Sequence, residues 1–124
     1  RNDRNYDRKI NRELKKKALY IALSKKLKEG EVLLLKNLVL PAIKAKDAKA
    51  VLGNLSAIKG YGSIAKTRNA AFVLIPSKDK NVEKSFQNFS NLSIGEARNL
   101  NLLDVLTYKY VVIVNPEECM KSLV

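Results

Sequence analysis

The side chains best placed to do chemistry are cations. Arg1, Arg4, Arg8, Lys9, Arg12, Lys15 and Lys16 all fall within the first 16 residues, with Tyr6 among them. Guanidinium forks and ammonium groups at this density suit one task above others: neutralising closely spaced phosphates, with bidentate contacts from arginine. Tyr6, between Arg4 and Arg8, could stack on a base or ribose. Lys66 and Arg68, beside Gly60, Gly62 and Ser63, are either a second phosphate-contacting cluster or two solvated loop cations. The formal net charge is +12, and it is unevenly spread. Residues 1–28 hold 11 basic and three acidic side chains, a net of +8, against +4 for the remaining 96 residues. Such a balance implies a polyanionic partner, either a nucleic acid or an anionic membrane surface.

The same residues leave catalysis without support. The chain has no histidine, which removes imidazole acid–base chemistry, the Ser-His-Asp arrangement and histidine metal sites. Its single cysteine, Cys119, cannot close an internal disulfide and has no histidine to activate it, so it reads as a small buried hydrophobe. Asp104 sits among Leu103 and Val105, and Glu117 and Glu118 are explained by the start of a helix. A nucleotide-binding α/β enzyme would need a glycine-rich turn straight after the first strand. Asn37-Leu38-Val39-Leu40-Pro41 stands there instead, and Gly60-Tyr61-Gly62-Ser63 follows a helix. No catalytic residue, metal, cofactor or small-molecule substrate is therefore expected. No apolar run approaches the roughly 18–20 residues of a membrane span and no signal-peptide pattern opens the chain, so a soluble protein of a reducing compartment is expected. Binding of the basic helix to a membrane surface would compete with folding, because Ala18 to Leu23 is needed to cover strands.

Positioning the cations requires a helix. Residues 8–28 contain no Pro or Gly, are rich in Lys, Arg, Leu and Ala, and meet Gly30 as a stop. At about 100° per residue, Ile10, Leu14, Ala18 and Ile21 gather on one side and Arg8, Arg12, Lys15 and Lys16 opposite. Leu19, Leu23 and Leu27 make the second half more apolar, so it should pack more deeply. Cations at the helix start oppose the macrodipole by about 0.3–1 kcal/mol each, a pattern that stability alone would not select. Beyond Gly30, strands are expected over Val32 to Lys36, Ala70 to Ile75, Leu92 to Arg98 and Tyr110 to Val114. Helices are expected over Asp47 to Ile58, Asp79 to Phe89, from Asn101 through Leu106, and from Pro116 to about Leu123 behind Asn115. Residues 59–69 are the one stretch loose enough for an insertion. Strands alternating with helices, and running apolar throughout, predict one α/β domain over 1–124 with a parallel sheet covered on both faces: a basic segment and helix 1–29 on a sheet-forming body 30–124.

Two blocks carry a family resemblance. Asn99-Leu100-Asn101-Leu102-Leu103-Asp104-Val105-Leu106, followed by Tyr108-Lys109-Tyr110-Val111-Val112-Ile113-Val114, resembles the C-terminal signature of the fourth protein of the large ribosomal subunit, the L-four family. Arg4-Asn5-Tyr6 is similar to that family's Arg-Asp/Asn-aromatic, and a Lys/Arg-rich helix with Ala18-Leu19 and Ala22-Leu23-Ser24 follows it. Val32 to Leu35 and Asp47 to Leu55 resemble the next strand and helix, with Lys46-Asp47 where the family has Pro-Lys-Thr-Lys and Pro41 earlier; residues 59–69 fit least well. The resemblance implies a three-layer α/β/α fold with a four-stranded parallel sheet in the order 1-4-2-3. It implies a non-enzymatic, structural role in the large ribosomal subunit, bound to ribosomal RNA and beside neighbouring ribosomal proteins, in cytoplasmic or organellar ribosomes. Some members of the family also repress synthesis from their own messenger, which is the alternative reading. The family's N-terminal region and tunnel loop would precede Arg1, so the resemblance implies a C-terminal part.

Overall fold

The computed structural model describes residues 3–65 and 68–123. Among these, α1 spans Arg12–Lys28, β1 Val32–Leu35, α2 Ala45–Ser56, β2 Ala71–Ile75 and α3 Lys80–Phe86. Then come β3 at Leu92–Glu96, a short 3-10 turn at Ala97–Asn99, α4 at Leu102–Thr107, β4 at Tyr110–Val114 and α5 at Pro116–Leu123. The four strands form one all-parallel sheet in the order β1-β4-β2-β3, as the family resemblance implies.

Alternation along the central strands builds the core. Ala71, Val73 and Ile75 of β2 and Tyr110, Val112 and Val114 of β4 enter one cluster with Ala48, Leu52 and Leu55 of α2 and Val82 and Phe86 of α3. Phe72, Leu74, Val111 and Ile113 point the other way, onto Val105 of α4 and Cys119 of α5, with Leu19, Ala22 and Leu23 of α1 packed against them. Every residue of β2 and β4 is buried, which is why both read as unbroken apolar runs.

β1 departs from the expectation of a buried strand. It is an edge strand, and Leu34 is 57% exposed. The Tyr61 hydroxyl lies 2.9 Å from the carbonyl oxygens of both Gly30 and Val32 and shares its proton between them, covering part of the open edge. The loop is tied down further at residues 60 and 64: the Tyr110 hydroxyl donates to the Gly60 carbonyl (3.0 Å), and Ile64 is wholly buried.

Helix ends follow their caps. Asp79 and Asn101 accept from the backbone amides of Asn81 (2.8 Å) and Asp104 (2.9 Å) and set the starts of α3 and α4. α2 stops at Ser56, short of the Ile58 expected to end it, which is left 41% exposed; α3 stops at Phe86, three residues short of Phe89. Gly95 is the position in β3 where a side chain has no room. A Cβ there would lie 2.6 Å from Cζ of Phe72. Gly95→Ala is expected to lower stability by about 1–3 kcal/mol, since the buried ring must leave its rotamer; denaturant unfolding measures this, and partial recovery in a Gly95→Ala, Phe72→Leu pair assigns the loss to that contact.

Candidate nucleic-acid interface

Residues 3–11 approach α1 without regular structure, and Asn11 begins the helix: its side chain accepts from the Glu13 amide (3.3 Å) and its carbonyl from the Lys15 amide (3.2 Å). The helix therefore starts at Arg12 and not near residue 8. Arg8 and Lys9 precede the cap, so they do not sit in the first turn against the macrodipole as the sequence suggested. Arg12 does, beside Glu13, while Lys25, Lys26 and Lys28 occupy the favourable last turn.

The cations are nonetheless open to solvent. Arg4, Arg8, Lys9, Arg12, Lys15 and Lys16 are all solvent-exposed. Arg12, Lys15 and Lys16 are neighbours at i, i+3 and i+4 on the helix, with Arg8 and Lys9 leading into it. Tyr6 is 78% exposed, and the Arg4 guanidinium lies over its ring, 5.6 Å from the centroid, a cation–π contact. Among the described residues, no carboxylate forms an ion pair with Arg8, Lys9, Arg12 or Lys15.

Other candidates lie elsewhere. Arg68 is exposed beside Asn69, whose carbonyl accepts from the Lys109 amide at the start of β4. That is the end of the sheet at which the strands start and α1 stops, whereas Arg12 to Lys16 open a helix of 17 residues, about 25 Å long. Arg68 thus does not join the main cluster. Arg1 and Lys66 lie outside the described residues. Arg98, passed over in the sequence, shares a groove with Arg12, Lys15 and Lys16; nothing local could have signalled this, because more than 80 residues separate it from them.

The inward face of α1 also differs from the expected one. Ile10, Leu14, Ile21 and Leu27 are each at least 59% exposed, while Leu19, Ala22 and Leu23 pack on the sheet. Lys26, one more position along that inner stripe, is buried. Its Nζ donates to the Glu31 carboxylate (2.7 Å) and to the Lys109 carbonyl (2.8 Å), pinning the end of α1 to β4. One of the 11 basic side chains is thus a structural pin.

No second chemistry emerges from the rest of the fold. Among the described residues no group of three or more Cys, Asp or Glu side chains could hold a metal ion, and no helix is long and apolar enough to cross a membrane. Cys119 is fully buried, with Sγ 2.9 Å from the Val114 carbonyl. Burial first, and the neighbouring Glu118 charge second, push its thiol above the usual range. Native protein is expected to resist a disulfide-exchange reagent at neutral pH and to react in full once denaturant is added; fast labelling of native protein would contradict that burial.

Comparison with known proteins adds the identity of the fold. Residues 1–123 match the Ribosomal protein L4/L1 family, which is not a family of enzymes. The large ribosomal subunit protein uL4 of Desulfotalea psychrophila is 34% identical over 115 residues, covering 91% of this chain and 48% of that protein. The uL4 of Desulforudis audaxviator is 34% identical over 110 residues (89% and 48%), and that of Magnetococcus marinus 30% over 120 (97% and 52%). The chain spans about half the length of these curated relatives. A family match over nearly its whole length, on a 1-4-2-3 parallel sheet fronted by a basic helix, leaves one conclusion: the chain belongs to the ribosomal protein L4/L1 family.

Proposed function

We propose that this chain is a structural constituent of the large ribosomal subunit that grips ribosomal RNA through Tyr6 and the cations of residues 4–16, beside neighbouring ribosomal proteins, in the ribosomes of the cytoplasm or of an organelle. Arg4, Arg8, Lys9, Arg12, Lys15 and Lys16 neutralise backbone phosphates and release condensed counterions, and Tyr6 stacks on an unpaired base. Contacts of this kind position the protein without reading sequence, so selectivity comes from the folded shape of the RNA. Arg1, Lys66 and Arg68 add peripheral phosphate contacts.

The observation that carries the reading is the exposed run from Arg8 to Lys15 on a member of this family, four cations to one acid, Glu13, with none of the four ion-paired to a described carboxylate. Net charge alone would fit any polyanion. A cationic face leading off a rigid helix, whose other side is anchored through Leu19, Ala22, Leu23 and Lys26, fits a large folded one. The test is a salt titration of binding to a large-subunit ribosomal RNA fragment. About six engaged phosphates predict a log–log slope of roughly −4 to −5. A slope near −1, or equal affinity for an unstructured RNA of the same length, would contradict the reading.

A further inference from the structure

The exposed apolar side of α1 is not accounted for by phosphate contacts. Leu14, 60% exposed, and Ile10, 59% exposed, line a groove of about 820 Å³ with Leu103 of α4, which is 71% exposed. Leu100, buried, and Leu19, half-buried, line the same groove, as does Leu123 of α5. All four charged residues that line it are cations, Arg12, Lys15, Lys16 and Arg98, of which Arg98 is also paired through Nε with Glu96. An apolar floor within a polar rim is the anatomy of a protein-docking surface. The floor is aliphatic, whereas unpaired bases are held by aromatic rings and guanidinium planes. A second copy of the chain would bring the same cations to the same rim, which like-charge repulsion disfavours.

We infer that this groove receives an acidic amphipathic helix of a partner protein, with leucine-type side chains on the floor and carboxylates against Arg12, Lys15, Lys16 and Arg98. This is the helix-in-groove mode, with apolar anchors at i, i+3, i+4 and i+7. Because three of the rim cations also belong to the proposed RNA face, the acidic helix and RNA exclude one another; that consequence alone rests on the proposed function. A partner that occupies the groove holds the free protein away from other polyanions and is released when RNA binds.

The experiment uses a fluorescent helical peptide of Leu and Glu with the leucines on one face, and an isomer with the leucines scattered as control, followed by anisotropy. The patterned peptide is expected to bind the intact chain at least about tenfold more tightly than its isomer. Leu14→Ser with Leu103→Ser, both on exposed positions, is expected to abolish that preference while leaving RNA affinity within about twofold; Leu34→Ser, exposed on β1, is the control and should change neither. Equal binding of the two peptides, or an unchanged preference in the double variant, overturns the inference. So does loss of RNA affinity in that variant, which gives the floor to RNA. Capture of the chain by anionic vesicles, or its dimerisation in sedimentation, with either lost in the same variant, gives the floor to lipid or to a second copy and overturns it equally. Should the intact chain bind no RNA, the peptide result still stands, so the two readings fail separately.

Discussion

Replacing Arg8, Arg12 and Lys15 together by Ala is expected to weaken binding to large-subunit ribosomal RNA by roughly 100- to 1,000-fold near 0.1 M salt. Each phosphate contact contributes about 0.7–0.9 to the log–log salt slope, so removing three of about six should shallow the slope by roughly 2 to 3. The two effects must appear together, because both come from the same released counterions. The fold should be indifferent. All three side chains are exposed and none pairs with a described carboxylate, and surface substitutions of this kind stay within about 0.5 kcal/mol. Filter binding across a salt series, beside a thermal melt, measures both. Unchanged affinity would place the RNA contact elsewhere.

Lys26→Met should do the reverse. Its ammonium donates to Glu31 and to the Lys109 carbonyl with little access to water, and its loss strands the Glu31 carboxylate beside a low-dielectric layer. Glu31 is still partly exposed, so the expected cost is about 2–3 kcal/mol, below the range for fully buried pairs. RNA affinity, measured cold enough that the protein stays folded, should change little despite the lost positive charge. Lys26→Met with Glu31→Leu should recover much of the stability, since removing both partners leaves no stranded charge. A double variant no more stable than the single one would show that the pin contributes through packing alone. These two variants separate gripping from folding within one basic segment, which net charge cannot do.

The contrast marks what the sequence discloses about this fold. β2 and β4 are legible almost to the residue because burial on both faces makes every position apolar. Caps at Asp79 and Asn101 are equally legible, being local hydrogen bonds between near neighbours. β1 misleads because Val32 to Leu35 has the composition of a central strand while its neighbour on one side is absent, a fact of sheet order. α1 misleads more instructively. Two apolar stripes compete on it, and periodicity favours the one containing Ile10, Leu14 and Ile21. The sheet takes the stripe of Leu19, Ala22 and Leu23, although Lys26 continues it, because Glu31 and the Lys109 carbonyl stand ready to compensate the ammonium. Compensation across 83 residues leaves no trace in a local pattern. The cationic face was legible as composition and in its register from Arg12 to Lys16; its starting cap at Asn11 and its neighbour Arg98 were not.

The central claim is that the cations of residues 4–16 hold the RNA, and lysine footprinting tests it in one measurement. Acetylation of free protein should modify Lys9, Lys15 and Lys16 along with Lys46, Lys49, Lys80 and Lys84, which are exposed at α2 and α3, and should spare buried Lys26. With saturating ribosomal RNA, Lys9, Lys15 and Lys16 are predicted to become protected while the lysines of α2 and α3 stay reactive. Protection of the α2 and α3 lysines, with Lys9, Lys15 and Lys16 modified as before, would contradict the account.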